Sequence, residues 1–176
     1  MRKTLLIITL FFAATFIGKS QAGYQTFPSA GFKVKCGCKL YVNSTFIQMA
    51  KQQGEMGIIG AYICAENEDN PDIAVIVNIN VYDESPSYKS ISTTGYALFE
   101  KKYLDQYAKN LSSSGIQYNY TTYKGVSALE YTYDQNGTPT KAIMFLNGKK
   151  SYLLQTATRK GLTTKYTALK NSFEIL

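Results

Sequence analysis

The sequence predicts an α+β fold, in which an antiparallel β-sheet of about six to seven strands is flanked by helices on both faces. Three patterns carry this prediction. Several segments alternate apolar and polar residues, as half-buried strands do, and one central segment repeats apolar residues at spacings of three and four, as an amphipathic helix does. Two Asn-Gly pairs each separate two strand-like segments, and Asn-Gly favours the tight turns that join antiparallel strands.

The first predicted strand runs from Phe32 to Val42, with Gly37 indicating a bulge in its middle. One face of this strand is apolar and is expected to be buried; it carries Phe32, Val34, Cys36, Cys38, Leu40 and Val42. The polar segment 44–53 favours a helical turn. Two further strands are predicted at 57–66 and 73–82, and the second of them is apolar on both faces.

A long amphipathic helix is predicted at about 92–112, with Lys101 and Asp105 four residues apart on its polar side. The small residues from Ser112 to Gly115 end it. A second helix is predicted near the C-terminus, from about Leu162. The predicted element order is β-β-β-α-β-β-β-β-α.

Two hairpins are predicted around Asn136-Gly137 and Asn147-Gly148. If both pairs form two-residue turns, Met144 faces Leu129 in the first hairpin and Ser151 in the second. Each face of these strands is then apolar, so a helix is expected on each side of the sheet. The two faces would carry Leu129, Tyr131, Ala142, Met144 and Leu153, and Ala128, Ile143, Phe145, Tyr152 and Leu154.

Residues 1–22 have the composition of a secretory signal peptide. Arg2 and Lys3 precede an apolar run from Leu5 to Ile17, and Ser20-Gln21-Ala22 forms a cleavage site. About 13 apolar residues are too few to span a hydrocarbon core of ~30 Å, so no transmembrane anchor is expected after cleavage. We expect a single α+β domain, residues 23–176, that is secreted or periplasmic; the compact signal is typical of bacteria.

Removal of the signal lowers the net charge from +7 to +4, which is ordinary for a soluble domain. No basic run alternates with aromatic residues, so no nucleic-acid partner is expected. The chain contains no histidine, which excludes the usual Ser-His-Asp and Cys-His catalysis and histidine-based zinc sites. It also lacks a glycine-rich phosphate loop. We therefore expect no enzyme activity, no cofactor and no metal.

A hydrolase that relies on carboxylates is the weaker alternative, with Glu130, Asp134 and Glu66 as its candidates. Glu130 falls on a partly apolar face beside Ile143, where burial would raise its pKa and let it act as an acid. The simpler interpretation is a glutamate near a sheet edge that reaches water or a lysine.

The three cysteines are Cys36, Cys38 and Cys64. Export favours a disulfide, and Cys64 on a neighbouring strand is the natural partner for one of the other two. The sequence does not choose between Cys36 and Cys38, and one thiol is left over. Three reduced and unreactive thiols, or a redox or metal site, are the alternatives.

A group of tyrosines forms a candidate binding surface. Tyr118, Tyr120 and Tyr123 lie close together in the sequence, and Tyr131 and Tyr133 follow on the next strand. Exposed tyrosine gives a large contact area at low entropic cost, which suits protein or glycan binding. The alternative is that tyrosine is simply a favourable strand residue.

Three short motifs give the chain a family likeness: a Gly31-Phe32 strand near the start of the mature chain, a Gly-x-x-x-Tyr strand from Gly148 to Tyr152, and an Asn171-Ser172-Phe173 tail after the last helix. With the element order, they resemble the PsbP/Mog1-like family of small α/β/α sandwich domains, over nearly the whole mature chain. Lys35-Cys36-Gly37-Cys38 stands where that family has a proline.

The resemblance implies a non-enzymatic domain that binds other proteins, and it implies no functional residues. We therefore expect an exported, non-enzymatic domain that binds a protein or a cell-envelope component. The alternative is a domain for a small ligand, lipid or glycan, with a tyrosine-lined pocket between the sheet and a helix.

Overall fold

The fold is built around a seven-stranded antiparallel sheet with helices on both faces, as the sequence predicts. The computed structural model describes residues 23–89 and 91–176, so the predicted signal peptide lies outside the described residues. No helix in the described ranges is long and apolar enough to cross a membrane.

The elements follow one another in an order close to the predicted one. They are β1 (Gln25–Phe27), β2 (Phe32–Val34), β3 (Tyr41–Val42), α1 (Ser44–Gln52), β4 (Ile58–Glu66), β5 (Val75–Asp83), α2 (Ser85–Tyr88), a 3₁₀ turn (Thr93–Gly95), α3 (Tyr96–Ser113), β6 (Tyr118–Tyr123), β7 (Val126–Gln135), β8 (Thr138–Asn147), β9 (Lys150–Ala157), α4 (Leu162–Ser172) and β10 (Glu174–Ile175). The large sheet has the strand order β3-β4-β5-β9-β8-β7-β6, and β1, β2 and β10 form a second, small sheet.

The predicted first strand, Phe32 to Val42, is wrong as a single element. It is divided into β2, which pairs with β1 and β10, and β3, which pairs with β4. The Gln25 side chain accepts a hydrogen bond from the Leu40 amide and donates one to the Cys38 carbonyl, at 2.8 Å each. In a continuous strand, these backbone groups would form hydrogen bonds with a neighbouring strand. Because Gln25 takes that place, residues 35–40 between β2 and β3 are not part of a sheet.

The first predicted hairpin is confirmed, and the second is displaced by two residues. Leu129 faces Met144 as expected, but Met144 faces Leu153 instead of Ser151. Asn136 and Gly137 both have positive φ, as a type I′ turn requires. In the second turn only Gly148 has positive φ, which fits a type II′ turn over Gly148 and Lys149. A shift of two residues keeps every side chain on its predicted face.

Different helices pack on the two faces of the large sheet: α4 on one face, and α3 and α1 on the other. On one face, α4 buries Tyr166 and Leu169, followed by Phe173, against Ile143 and Phe145. On the other face, α3 packs Leu104, Tyr107, Ala108 and Leu111 on β7 and β8, while α1 packs on β4. The strands between these two helices, β5 and β9, are consequently covered less completely on this second face.

Candidate functional site

A large groove lies on the sheet face that α1 and α3 share. Its floor is formed by β4, β5 and β9, its walls include Met49 of α1 and Tyr103 and Tyr107 of α3, and its volume is about 1590 Å³. Ile76 and Tyr82 are six positions apart on β5, so at about 3.3 Å per residue the floor is roughly 20 Å long. The groove exists because, on this one face, α3 covers β7 and β8 and α1 covers β4, which leaves the strands between them open.

The floor is mainly aliphatic. Ile63 of β4 lies opposite Asn78 of β5, and Ala65 lies opposite Ile76, which in turn faces Ala157 of β9. Three large apolar side chains on the groove's lining are also well exposed: Val42 by 60%, Met56 by 73% and Ile59 by 44%. Exposed apolar side chains beside a recessed apolar floor are typical of a binding site.

A row of amides interrupts this apolar floor. Gln155 donates a hydrogen bond to the Tyr133 hydroxyl at 2.8 Å. Asn80 is only 8% exposed, yet within the described part of the chain its side-chain amide has no hydrogen-bond partner. The amide atoms themselves remain accessible from the groove, so the Asn80 side chain is placed to bond a group that enters it.

Carboxylates and tyrosines gather at the end of the groove where β5 finishes. Glu84, 8% exposed, accepts hydrogen bonds from the Tyr103 hydroxyl at 2.9 Å and the Ser151 hydroxyl at 3.0 Å. Tyr82 lies close to Glu55. We call Glu55, Tyr82, Glu84, Tyr103 and Tyr107 the acidic end of the groove.

The tyrosines of the acidic end stay protonated at neutral pH. Burial, followed by the negative charge of Glu84, raises the pKa of Tyr103 well above its ordinary value. Burial and the nearby Glu55 raise the pKa of Tyr82 in the same way. These hydroxyls therefore act as neutral hydrogen-bond donors.

The lining of the groove is acidic although the chain as a whole is basic. Its charged residues are Arg159 and the carboxylates Glu55, Glu68, Asp83 and Glu84. Arg159 already lies 3.5 Å from Asp72 in an ion pair. The groove is thus suited to neutral or positively charged molecules.

The five tyrosines of the predicted binding surface do not form one surface. Tyr118 and Tyr120 lie side by side on β6, with ring centroids 5.9 Å apart, and Tyr131 and Tyr133 line the groove. Tyr123 lies on the opposite face of the sheet, where its hydroxyl donates to the Lys170 carbonyl at 2.6 Å. The division follows from strand alternation, because Tyr120 and Tyr123 are an odd number of residues apart.

Sequence reasoning missed the acidic end and Asn80. The signal for Asn80 was present, since Asn78 and Asn80 are the polar residues in the otherwise apolar segment Ile73 to Val81. Glu84, Tyr103 and Tyr107 gave no such signal. They come from elements distant in the sequence and meet only when α3 folds over the sheet.

The three cysteines lie near β4, one of the strands that form the groove floor, and Cys64 belongs to this strand. Cys38 and Cys64 form a disulfide, and Cys36 is a free thiol whose sulfur is 3.9 Å from that of Cys64. Burial raises the pKa of Cys36 to about 11, so the thiol is mostly protonated and poorly reactive at neutral pH. The described residues contain no group of three or more acidic or cysteine side chains that could hold a metal ion.

The three candidate carboxylates have separate partners. Glu130 accepts hydrogen bonds from Tyr166 at 2.6 Å and Lys170 at 2.9 Å. Asp134 accepts the Gly137 amide in a turn, and Glu66 lies 3.8 Å from Lys165. Burial raises the pKa of Glu130, but the Tyr166 and Lys170 hydrogen bonds and the charges of Lys170 and Lys141 outweigh it, so the pKa is lowered. The expectation of a raised pKa for Glu130 is therefore wrong.

Comparison with known proteins identifies similar folds. No family model and no curated protein matches the sequence. A protein of known crystal structure from Bacteroides thetaiotaomicron VPI-5482 is similar over 87% of this chain, with 12% identity and a TM-score of 0.51. This chain covers 48% of that protein, which is about half its length.

A PsbP is also among the similar structures. CyanoP, the PsbP of Synechocystis sp. PCC 6803, is 15% identical, with 94% of this chain and 98% of that one covered and a TM-score of 0.41. At such identities the likeness concerns the fold alone.

Proposed function

We propose that this protein is an exported, non-catalytic binding domain whose groove holds an elongated amphipathic small molecule, of the kind found in cell envelopes. The observation that supports the proposal best is the groove itself, an uncovered stretch of sheet about 20 Å long between α1 and α3. Pockets of this kind, apolar with a few placed polar groups, are typical of ligand sites.

The lining defines the chemistry of the ligand. The aliphatic floor around Ile63 and Ile76 suits an alkyl chain or another extended apolar body. Asn80 and the hydroxyls at the acidic end suit a polar group at one end of it. An amphipathic molecule matches both parts, whereas a fully polar glycan would leave the aliphatic floor unused.

The charge of the groove argues against nucleic acid as its ligand. Phosphate chains are bound by lysine and arginine, and the groove presents mainly carboxylates. The separate partners of Glu130, Asp134 and Glu66, and the absence of histidine, support a non-catalytic role. The Cys38–Cys64 disulfide supports export, because disulfides persist in oxidising compartments.

A pair of tryptophan substitutions tests the proposal. Dodecyl maltoside, below its critical micelle concentration, should bind the purified protein saturably with one molecule per chain. Ala65→Trp places a large side chain on the groove floor and should weaken this binding at least about tenfold. Thr132→Trp adds the same side chain at an exposed position of β7 and should leave the affinity unchanged. Calorimetric titration measures both; equal affinities in the two variants would contradict binding in the groove.

A second candidate function, docking of a protein partner, is favoured by the edge of the large sheet. β6 is an edge strand, its residues 119–122 are exposed, and Tyr118 and Tyr120 form an aromatic pair there. Partner strands add to such edges through backbone hydrogen bonds. A photo-crosslinking residue at Asn119 should capture an envelope polypeptide in cells, whereas one at Lys109 on α3 should not.

A further inference from the structure

We propose that the acidic end of the groove binds the ammonium group of an amphipathic amine, whose apolar chain extends over Ile63 and Ile76. This inference rests on the proposed function, because it assigns the head group of the same ligand. Three features at or beside the acidic end support it: a buried carboxylate, an unpartnered amide and a group of aromatic rings.

The buried carboxylate is Glu84. It is 8% exposed, and its carboxylate accepts hydrogen bonds from the neutral hydroxyls of Tyr103 and Ser151. Within the described ranges, no lysine or arginine nitrogen lies within 4.0 Å of it. Buried charges are usually paired, so a carboxylate that neutral donors alone satisfy favours a positively charged ligand.

The unpartnered amide is Asn80, which is independent of the carboxylates. It lies two residues before Tyr82 on the same face of β5, with Ala61 and Leu153 opposite it on the neighbouring strands. Its side-chain oxygen can accept an N–H from a primary ammonium held between it and the acidic end. A quaternary ammonium has no N–H to donate, so Asn80 should distinguish the two kinds of head group.

Tyrosine rings complete the site. Tyr82, Tyr103 and Tyr107 line this end of the groove, and the Tyr107 hydroxyl is 2.7 Å from that of Tyr131. Aromatic rings with nearby carboxylates are the usual surroundings of bound ammonium groups, because the ring faces are electron-rich. The shortage of free cationic side chains in the lining disfavours an anionic head group.

Four probes with the same alkyl chain test the inference. They are dodecylammonium, dodecyltrimethylammonium, dodecyl maltoside and dodecyl sulfate, each below its critical micelle concentration. Titration calorimetry should give dodecylammonium an affinity about tenfold higher than that of dodecyl maltoside, since an ion-paired hydrogen bond exceeds a neutral one. Dodecyl sulfate should bind most weakly. Tyrosine fluorescence can follow the same titrations, because the chain has no tryptophan.

Variants then locate the head group. Glu84→Gln should abolish the preference for dodecylammonium over dodecyl maltoside while leaving maltoside binding intact. Asp105→Asn removes one negative charge from the outer side of α3, where Asp105 pairs with Lys101, and should leave the preference unchanged. Asn80→Leu should weaken dodecylammonium several-fold more than dodecyltrimethylammonium.

Failure of the inference is distinguishable from failure of the proposed function. If all four probes bind in the groove with similar affinity, or Asp105→Asn acts as strongly as Glu84→Gln, the ammonium site is overturned and the groove remains a ligand site. If no alkyl probe binds saturably, the proposed function is itself overturned. The comparison of the four probes on the unsubstituted protein decides the matter even if Glu84→Gln does not fold.

Discussion

A single charged side chain, Glu130, connects the large sheet to α4. On the α4 side, Glu130 of β7 accepts hydrogen bonds from Tyr166 and Lys170 of the helix, and Lys141 lies 3.6 Å away. The pair of lysines also lies over the Tyr166 ring. Glu130, which the sequence offered as a candidate acid, thus has a structural role in fixing α4 to the sheet.

Substitution of Glu130 should destabilise the fold in a pH-dependent way. The pKa of Glu130 is lowered in the folded state, so its ionised form stabilises the protein above its ordinary pKa. That stabilisation is lost as the pH falls through the lowered value. Glu130→Gln should therefore cost about 1–2 kcal/mol at pH 7, and the difference from the parent protein should shrink near pH 2.5. Urea unfolding at the two pH values measures it.

Glu174→Gln is a suitable control for this experiment. Glu174 pairs with Lys33 at 2.8 Å, but both side chains are about a third or more exposed. Exposed pairs contribute little, so the control should be destabilised much less than Glu130→Gln. A pH-independent loss in Glu130→Gln would mean that packing, and not the charge of Glu130, anchors α4.

At the scale of elements, the strands follow from local sequence, whereas the second turn depends on backbone geometry that the sequence only partly reveals. The residues of Asn147-Gly148 do not both enter the turn: Gly148 has a φ of 60°, and Asn147 lies at the end of β8 opposite Lys150 of β9. Alternation of apolar residues could not distinguish the two registers, because both place the same side chains on the same faces.

The observed turn makes different demands on its two residues. Gly148→Ala should lower the free energy of unfolding by about 1–2 kcal/mol, because positive φ is strained for alanine. No other atom lies near the added methyl group, so this backbone strain accounts for the whole cost. Asn147→Ala should cost less than about 0.5 kcal/mol. Thermal or urea unfolding gives both values. An equal cost at the two positions would indicate the predicted register, with Asn147 inside a type I′ turn.

The first strand was predicted incorrectly because a side chain, and not a neighbouring strand, forms the hydrogen bonds of the backbone at Cys38 and Leu40. The alternation from Phe32 to Val42 correctly indicated burial of Phe32, Val34, Cys38 and Leu40, but Cys36 is only partly buried and Val42 is 60% exposed. It could not show that Gln25 would pair with the Leu40 amide, because the two residues belong to different parts of the chain. The strand was therefore predicted too long, and the small sheet of β1, β2 and β10 was missed.

At the scale of the whole molecule, the two faces of the large sheet are covered unequally. Aromatic side chains fill the α4 face, where Phe32, Phe145, Tyr152 and Phe173 contact one another. On the other face α1 and α3 stand apart over different strands, and the groove lies between them. The sequence predicted a helix for each face, but the position of α3 over β7 and β8 depends on packing between distant elements, so the groove could not be placed from the sequence.

The central claim is that a ligand lies on the open floor between α1 and α3, and contacts between probe and protein measured by NMR test it most directly. In a complex of the protein with dodecylammonium, we predict intermolecular nuclear Overhauser effects from the alkyl chain to the methyl groups of Ile63 and Ile76. None should reach Ile143, which is fully buried on the α4 face. Overhauser effects confined to Tyr118 and Tyr120 on β6, or a probe that binds without contacting Ile63 and Ile76, would contradict the account.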